Sequence, residues 1–258
     1  GNKIMAEDEG NKAGIDWTAS AEDYDLATPF TQIFSLQGIA ALQLPPTLED
    51  RTVLDIAAGT GSFALAVAQK HTPGQSSKII ATDFSPGMIE ILGKKCTRDL
   101  PADKQSWVTC QVMDGQNLEV ADNSVAYIGC VFGVMFFPDR VKGFREMLRV
   151  LQPKGKAAVV VWKANDITHL LERIAIESGR ITPDQTPLPG NRIAFCYADP
   201  SVGIADMVSG GFPRDHIEVR TVKGEHDFSV DDMARMMAMM PLPDPSGAPP
   251  SPAASPAA

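Results

Sequence analysis

The chain has 258 residues, 44% of them hydrophobic, enough for one large core with appendages. Its formal net charge is −9 and its longest Lys/Arg run is Lys94-Lys95, so it lacks the basic signature of a nucleic-acid binder. No apolar run approaches the ~18 residues of a membrane span, and the acidic start is unlike a signal or transit peptide. The cysteines Cys96, Cys110, Cys130 and Cys196 form no C-x-x-C pair, which predicts a reducing, cytoplasmic setting without disulfide framework or structural metal.

Residues 1–22 are polar, acidic and without pattern, and are expected to be mobile. Residues 24–44 carry Phe30, Ile33, Phe34, Leu36, Ile39, Ala40 and Leu42 at helical spacing, and Pro45-Pro46 ends the helix. From 51 to 162 strands alternate with helices, the pattern of a doubly wound parallel sheet. The first strand runs into Val53-Leu54-Asp55-Ile56-Ala57-Ala58-Gly59-Thr60-Gly61-Ser62-Phe63-Ala64: a strand, an acid near its end, then a glycine turn into a helix. Glycines there let the backbone approach a ligand closely, at the strand ends where open α/β sheets bind ligands. The second strand, 78–83, ends in Asp83, with Ser85 as N-cap and Pro86 as first helical residue. A third, 107–113, ends at Asp114-Gly115, and a fourth, 125–131, runs into Phe132-Gly133-Val134-Met135-Phe136-Phe137-Pro138-Asp139. A helix over 140–151, the turn Gln152-Pro153-Lys154-Gly155 and a fifth strand over 156–162 complete the series.

Residues 163–205 are less patterned, with a short helix over 169–178 and a Pro-rich excursion over 180–200. Gly210-Gly211-Phe212-Pro213 followed by extended stretches at 217–222 and 225–228 predicts an antiparallel hairpin. Ser229-Val230-Asp231-Asp232 reads as a helix start. Met233, Met236, Met237, Met239 and Met240 then form either a closing helix or an adaptable lid. Residues 241–258 are a Pro/Ala/Ser tail, disordered by composition.

The glycine loop fits two cofactors. Gly59-Thr60-Gly61-Ser62-Phe63-Ala64 satisfies the dinucleotide pattern, with Asp83 near the expected offset, so an NAD-dependent oxidoreductase is one reading. Asp55 opposes it, because a carboxylate there repels a pyrophosphate and welcomes a cation. Asp55, Ala57, Gly59 and Gly61 resemble the first motif of class I S-adenosylmethionine-dependent methyltransferases, acid-x-G-x-G-x-G, with alanine in place of the first glycine. Asp83, Ser85 and Met88 are similar to the family's D-x-S-x-x-M. Leu151, Pro153 and Gly155 look like the L-x-P-x-G of its small-molecule branch, which includes quinone C-methyltransferases.

The resemblance implies a Rossmann-like α/β fold, a doubly wound seven-stranded, mostly parallel sheet with a closing antiparallel hairpin. Its methyltransferase domain would span 23–240: an N-terminal helix over 24–44, a cofactor-binding core over 51–162, a substrate-shaping segment over 163–205 and a closing hairpin and helix over 210–240. Its cofactor would be S-adenosylmethionine. Asp55, Ala57, Ala58, Gly59, Thr60 and Gly61 would hold the methionine end, and Asp83 the ribose hydroxyls. Phe84, Met88, Asp114 and Gly115 would surround adenine, with Cys130, Val131 and Phe132 beside the reactive sulfur. Phe132, Met135, Phe136 and Trp162 would shape a pocket for an apolar or aromatic methyl acceptor, whereas Phe137 reads as core. No catalytic residue is assigned; His169, His216 and His226 are candidate bases. A non-catalytic cofactor-binding protein of the same fold is the other alternative, and the oligomeric state is open.

Overall fold

The computed structural model describes residues 16–232 and residue 235. Helices α1 (Ala21–Asp25) and α2 (Thr28–Leu42) precede the core, so the single helix expected over 24–44 is two pieces. The second ends at Gln43, which takes a left-handed φ of 55°. The core contains β1 (Thr47–Leu48), β2 (Thr52–Ile56), α3 (Ala64–Lys70), β3 (Thr72–Pro73), β4 (Lys78–Asp83), α4 (Pro86–Asp99), α5 (Ala102–Gln105), β5 (Val108–Val112), β6 (Val125–Val131), α6 (Arg140–Val150) and β7 (Leu151–Val160). Helices α7 (Asp166–Glu177), α8 (Pro189–Ala194) and α9 (Pro200–Ser209) follow.

The main sheet has five strands in the order β5-β4-β2-β6-β7, all paired in parallel. The chain leaves β2 toward β4 on one side and returns to β6 on the other, which places the topological switch at the carboxyl end of β2. The central strands are buried on both faces, as expected where helices cover a parallel sheet. Helix α2 lies on β6 and β7, and α4 on β4 and β5. Phe63, Leu54, Ile56, Ile128, Phe144 and Met147 form the deepest layer. Phe63 fits because residue 129 is glycine: a Cβ there would come within 2.5 Å of its ring.

Two expectations need correction. The main sheet has five strands rather than seven, and among the described residues 217–228 form no hairpin. Val219 and Val222 stay exposed, and only the end of that stretch turns to α2. A Cβ on Gly224 would meet the Phe34 ring at 2.8 Å, and the ring of Phe228 stands edge-on to Phe30 at 5.7 Å. A small parallel pair, β1 with β3, was not expected. Ser229 Oγ accepts from Asp232 N at 3.0 Å, a local cap where the last helix was predicted to begin. The methionine series after it and the tail over 241–258 lie outside the described residues.

Candidate functional site

Asp55 and Asp83 stand at the ends of neighbouring strands, only 1% and 6% exposed. Asp55 Oδ2 accepts from Ala64 N at 2.9 Å, holding the first residue of α3. Asp83 joins two backbone segments: Oδ2 accepts from Gly59 N and Oδ1 from Ser85 N, both at 2.9 Å. Carboxylate oxygens accept more than one bond each, so Asp83 keeps acceptor capacity after fixing the loop and the start of α4. Ser85 Oγ then accepts from Met88 N at 3.3 Å, the cap read from the sequence.

The electrostatics follow from burial. Removal from water pushes Asp83 up to about 6, against the pull of the Ser85 and Gly59 N–H groups. Asp55 is also held well above the ordinary carboxylate range, first by burial, with the Ala64 N–H opposing and the Asp83 charge adding. Two buried acids side by side, one raising the other's proton affinity, make a site favourable to a cation and hostile to an anion.

The intervening loop is left-handed at Ala57 (φ 55°), Gly59 (φ 54°) and Gly61 (φ 95°). Only alanine among these pays a steric cost for that conformation. Its methyl faces the β6 loop: a Cβ on Gly133 would lie 2.3 Å from it. Alanine at 57 and glycine at 133 therefore form one close contact. At Gly61 a side chain would strike Leu92 at 2.2 Å, so this glycine is required by packing under α4 as well as by its φ. Thr60, 2% exposed, bonds Thr28 Oγ1 at 2.8 Å, and Ser35 Oγ donates to Ser62 Oγ at 3.0 Å. Both hydroxyl bonds anchor the loop to α2.

The adenine-side residues divide. Met88 is buried and Phe84 is 44% exposed. Asp114 is exposed and accepts from the backbone N of Gln116 at 2.8 Å, forming a local turn. Gly115 leaves room for Phe137, whose ring a Cβ would meet at 2.4 Å, so Phe137 is indeed a packing residue. Met135, 1% exposed, turns inward instead of lining an acceptor pocket.

At the end of β6, buried Cys130, Val131 and Phe132 lead into an aromatic group. Phe132, at φ 57°, stacks on Trp162 with ring centres 3.7 Å apart, and Phe30 stacks on Trp162 at 5.7 Å. Phe34 stands edge-on to Phe132 and Trp162. His226 joins the rim at 4.7 Å from Phe228 and 6.4 Å from Phe30. The other candidate bases are elsewhere: His169 lies parallel to Phe195 at 6.5 Å, and His216 ends a short turn over Arg214–His216.

The sequence reading missed Trp17 and Tyr24. Trp17 stands edge-on to Tyr24 at 5.7 Å and to Phe136 at 5.2 Å. Tyr24 lies over the loop, 3.4 Å from where a Gly59 Cβ would be. Its phenol is pushed up to about 12, by burial first and by the Asp83 charge second. The available signal was two large aromatics in an otherwise polar stretch.

Residues 53–155 match the family model described as a methyltransferase domain. Over this core the chain is similar to the methyltransferase family. The chain is 33% identical over 112 residues to the ubiquinone/menaquinone biosynthesis C-methyltransferase UbiE of Geobacter sulfurreducens, covering 43% of this chain and 42% of that protein. It is 30% identical over 131 residues to a demethylmenaquinone methyltransferase of Bacteroides fragilis, covering 51% of each. These matches span about half the length of the curated relatives. The methyltransferase fold is also that of a Methanococcus maripaludis protein, a proposed S-adenosyl-L-methionine-dependent methyltransferase, with TM-score 0.56, 22% identity, and 75% of this chain and 84% of that one covered.

Proposed function

We propose that the chain binds S-adenosylmethionine and transfers its methyl group to an aromatic or apolar small molecule. The observation that carries the reading is the buried pair Asp55 and Asp83 on either side of the left-handed loop over 57–61. When bound, the cofactor would supply an activated methyl group on a cationic sulfur, together with an ammonium and a ribose diol. The remaining acceptor capacity of Asp83 suits the diol. The negative field of the two acids suits the cationic end and disfavours the pyrophosphate of a dinucleotide.

On the adenine side, Phe84 and Met88 would supply apolar contact, with Asp114 and Gly115 across from them. Backbone from Cys130 to Phe132 would lie beside the sulfur. Trp17, Tyr24 and Phe136 would keep water from the reacting atoms, and such alignment and exclusion can lower the barrier by several kcal/mol without a proton moving. Phe30, Trp162 and Phe228 offer flat faces to an acceptor, which supports a quinone-like substrate class; the relatives named above act on quinones by name. His226 is the candidate base on that rim, the position from which it would take a proton from a hydroxyl-bearing acceptor.

Isothermal titration with S-adenosylhomocysteine, with NAD in parallel, tests the cofactor. Micromolar binding of S-adenosylhomocysteine alone supports the proposal, and binding of NAD alone overturns it. Cofactor binding with no methyl transfer to any aromatic acceptor would leave a binding protein of the same fold.

A further inference from the structure

Cys96 lies on α4 and Cys110 on β5, and their sulfurs stand 3.9 Å apart, within range of a weak S–H···S contact. Cys96 is buried at 6% exposure, and Cys110 is half-buried because β5 is an edge strand. One thiol is therefore within reach of a small oxidant while the other waits beside it. Cys130 is fully buried, and Cys196 lies on the later segment after α8.

We propose that Cys96 and Cys110 form an oxidisable pair that hydrogen peroxide converts into a disulfide stapling α4 to β5. The Cys110 thiolate attacks a peroxide oxygen; the O–O bond breaks, an S–O bond forms and, after protonation, one water leaves. The Cys96 sulfur then attacks the resulting sulfenic acid; the S–S bond forms, the S–O bond breaks and a second water leaves. Two thiols are oxidised and one peroxide is reduced. The hydrogen bond from Cys96 holds the Cys110 thiol below its ordinary pKa, which favours Cys110 as the attacking group. A disulfide needs a separation of about 2.05 Å, so closure draws the two elements together. Helix α4 starts just after Phe84 and includes Met88, and β5 runs toward Asp114–Gly115.

The test treats the folded full chain with hydrogen peroxide, alkylates the remaining thiols in denaturant and maps the peptides. The expected result is a Cys96–Cys110 linked peptide, two hydrogens lighter, reversed by dithiothreitol, with Cys130 and Cys196 alkylated. In Cys96→Ser, dimedone should trap Cys110 as the sulfenic acid; in Cys110→Ser, Cys96 should remain unlabelled. Complete alkylation of both thiols after peroxide exposure sufficient to oxidise free dithiothreitol would overturn the proposal. So would linkage of Cys110 to another cysteine or to a second chain, or its stopping at the sulfenic acid in the unsubstituted protein. The wild-type map decides the matter even if either serine variant fails to fold.

Discussion

Removing the Asp83 carboxylate should separate its two roles, fixing the loop and holding the ribose. In Asp83→Ala the N–H groups of Gly59 and Ser85 lose a charged acceptor, and each such bond is worth roughly 1.5–3 kcal/mol. Against this, the substitution abolishes the cost of burying a charge, and the net rise from 3.8 to about 6 means that this cost exceeds what the two bonds return. The opposing contributions leave the folded state within a few kcal/mol of the parent. The ligand has no such compensation: loss of the diol contacts should weaken S-adenosylhomocysteine by roughly 1–3 kcal/mol, about tenfold to a hundredfold. Asp83→Asn, which keeps the shape and one acceptor, should fall between. Titration calorimetry on variants first shown to melt cooperatively is the assay. An Asp83→Ala protein that melts cooperatively and binds within twofold of the parent would refute the ribose assignment.

Acidity provides a second check. Because the folded-state value of Asp83 lies above its unfolded one, its contribution to stability is fully present below about 3.8 and is lost as pH rises through about 6. Ligand binding to its carboxylate has the opposite sense, so S-adenosylhomocysteine affinity should fall as pH drops below about 6, by up to tenfold per pH unit, in calorimetry across that range. At the loop, Gly133→Ala should destabilise by roughly 1–3 kcal/mol through its clash with Ala57. Ala57→Gly in the same chain should recover most of that loss, as read by denaturant melts of the double-mutant cycle. Tyr24→Ala should leave Gly59 and Asp83 open to water. The expected outcome is a several-fold rise in cofactor dissociation rate by stopped-flow, with a cooperative melt retained.

The parts of the site legible in the sequence are those set by neighbours along the chain. The Asp55 strand, the glycine turn, the strand ending in Asp83 and the Ser85 cap were visible because each is a local signal. Long-range arrangements were not. Alternation over 217–222 suits a strand but cannot say whether a partner strand is available, and contact with α2 takes the residues just after it. Met135 could not be told from Phe136 by type or position, since a short turn over Val134–Phe136 sends one inward and the other to Trp17. The turn in which Asp114 accepts from the backbone N of Gln116 was not read either, although it is local.

The bonds from Thr60 to Thr28 and from Ser62 to Ser35 bear on where this protein can be divided. The family match begins at residue 53, after α2, so a minimal version cut to that boundary would separate the loop from its anchor. It would also uncover Phe132 and Trp162, whose edges Phe34 now covers. The smallest autonomous unit therefore begins before Thr28, and domain grafting or circular permutation should place its joints outside that limit.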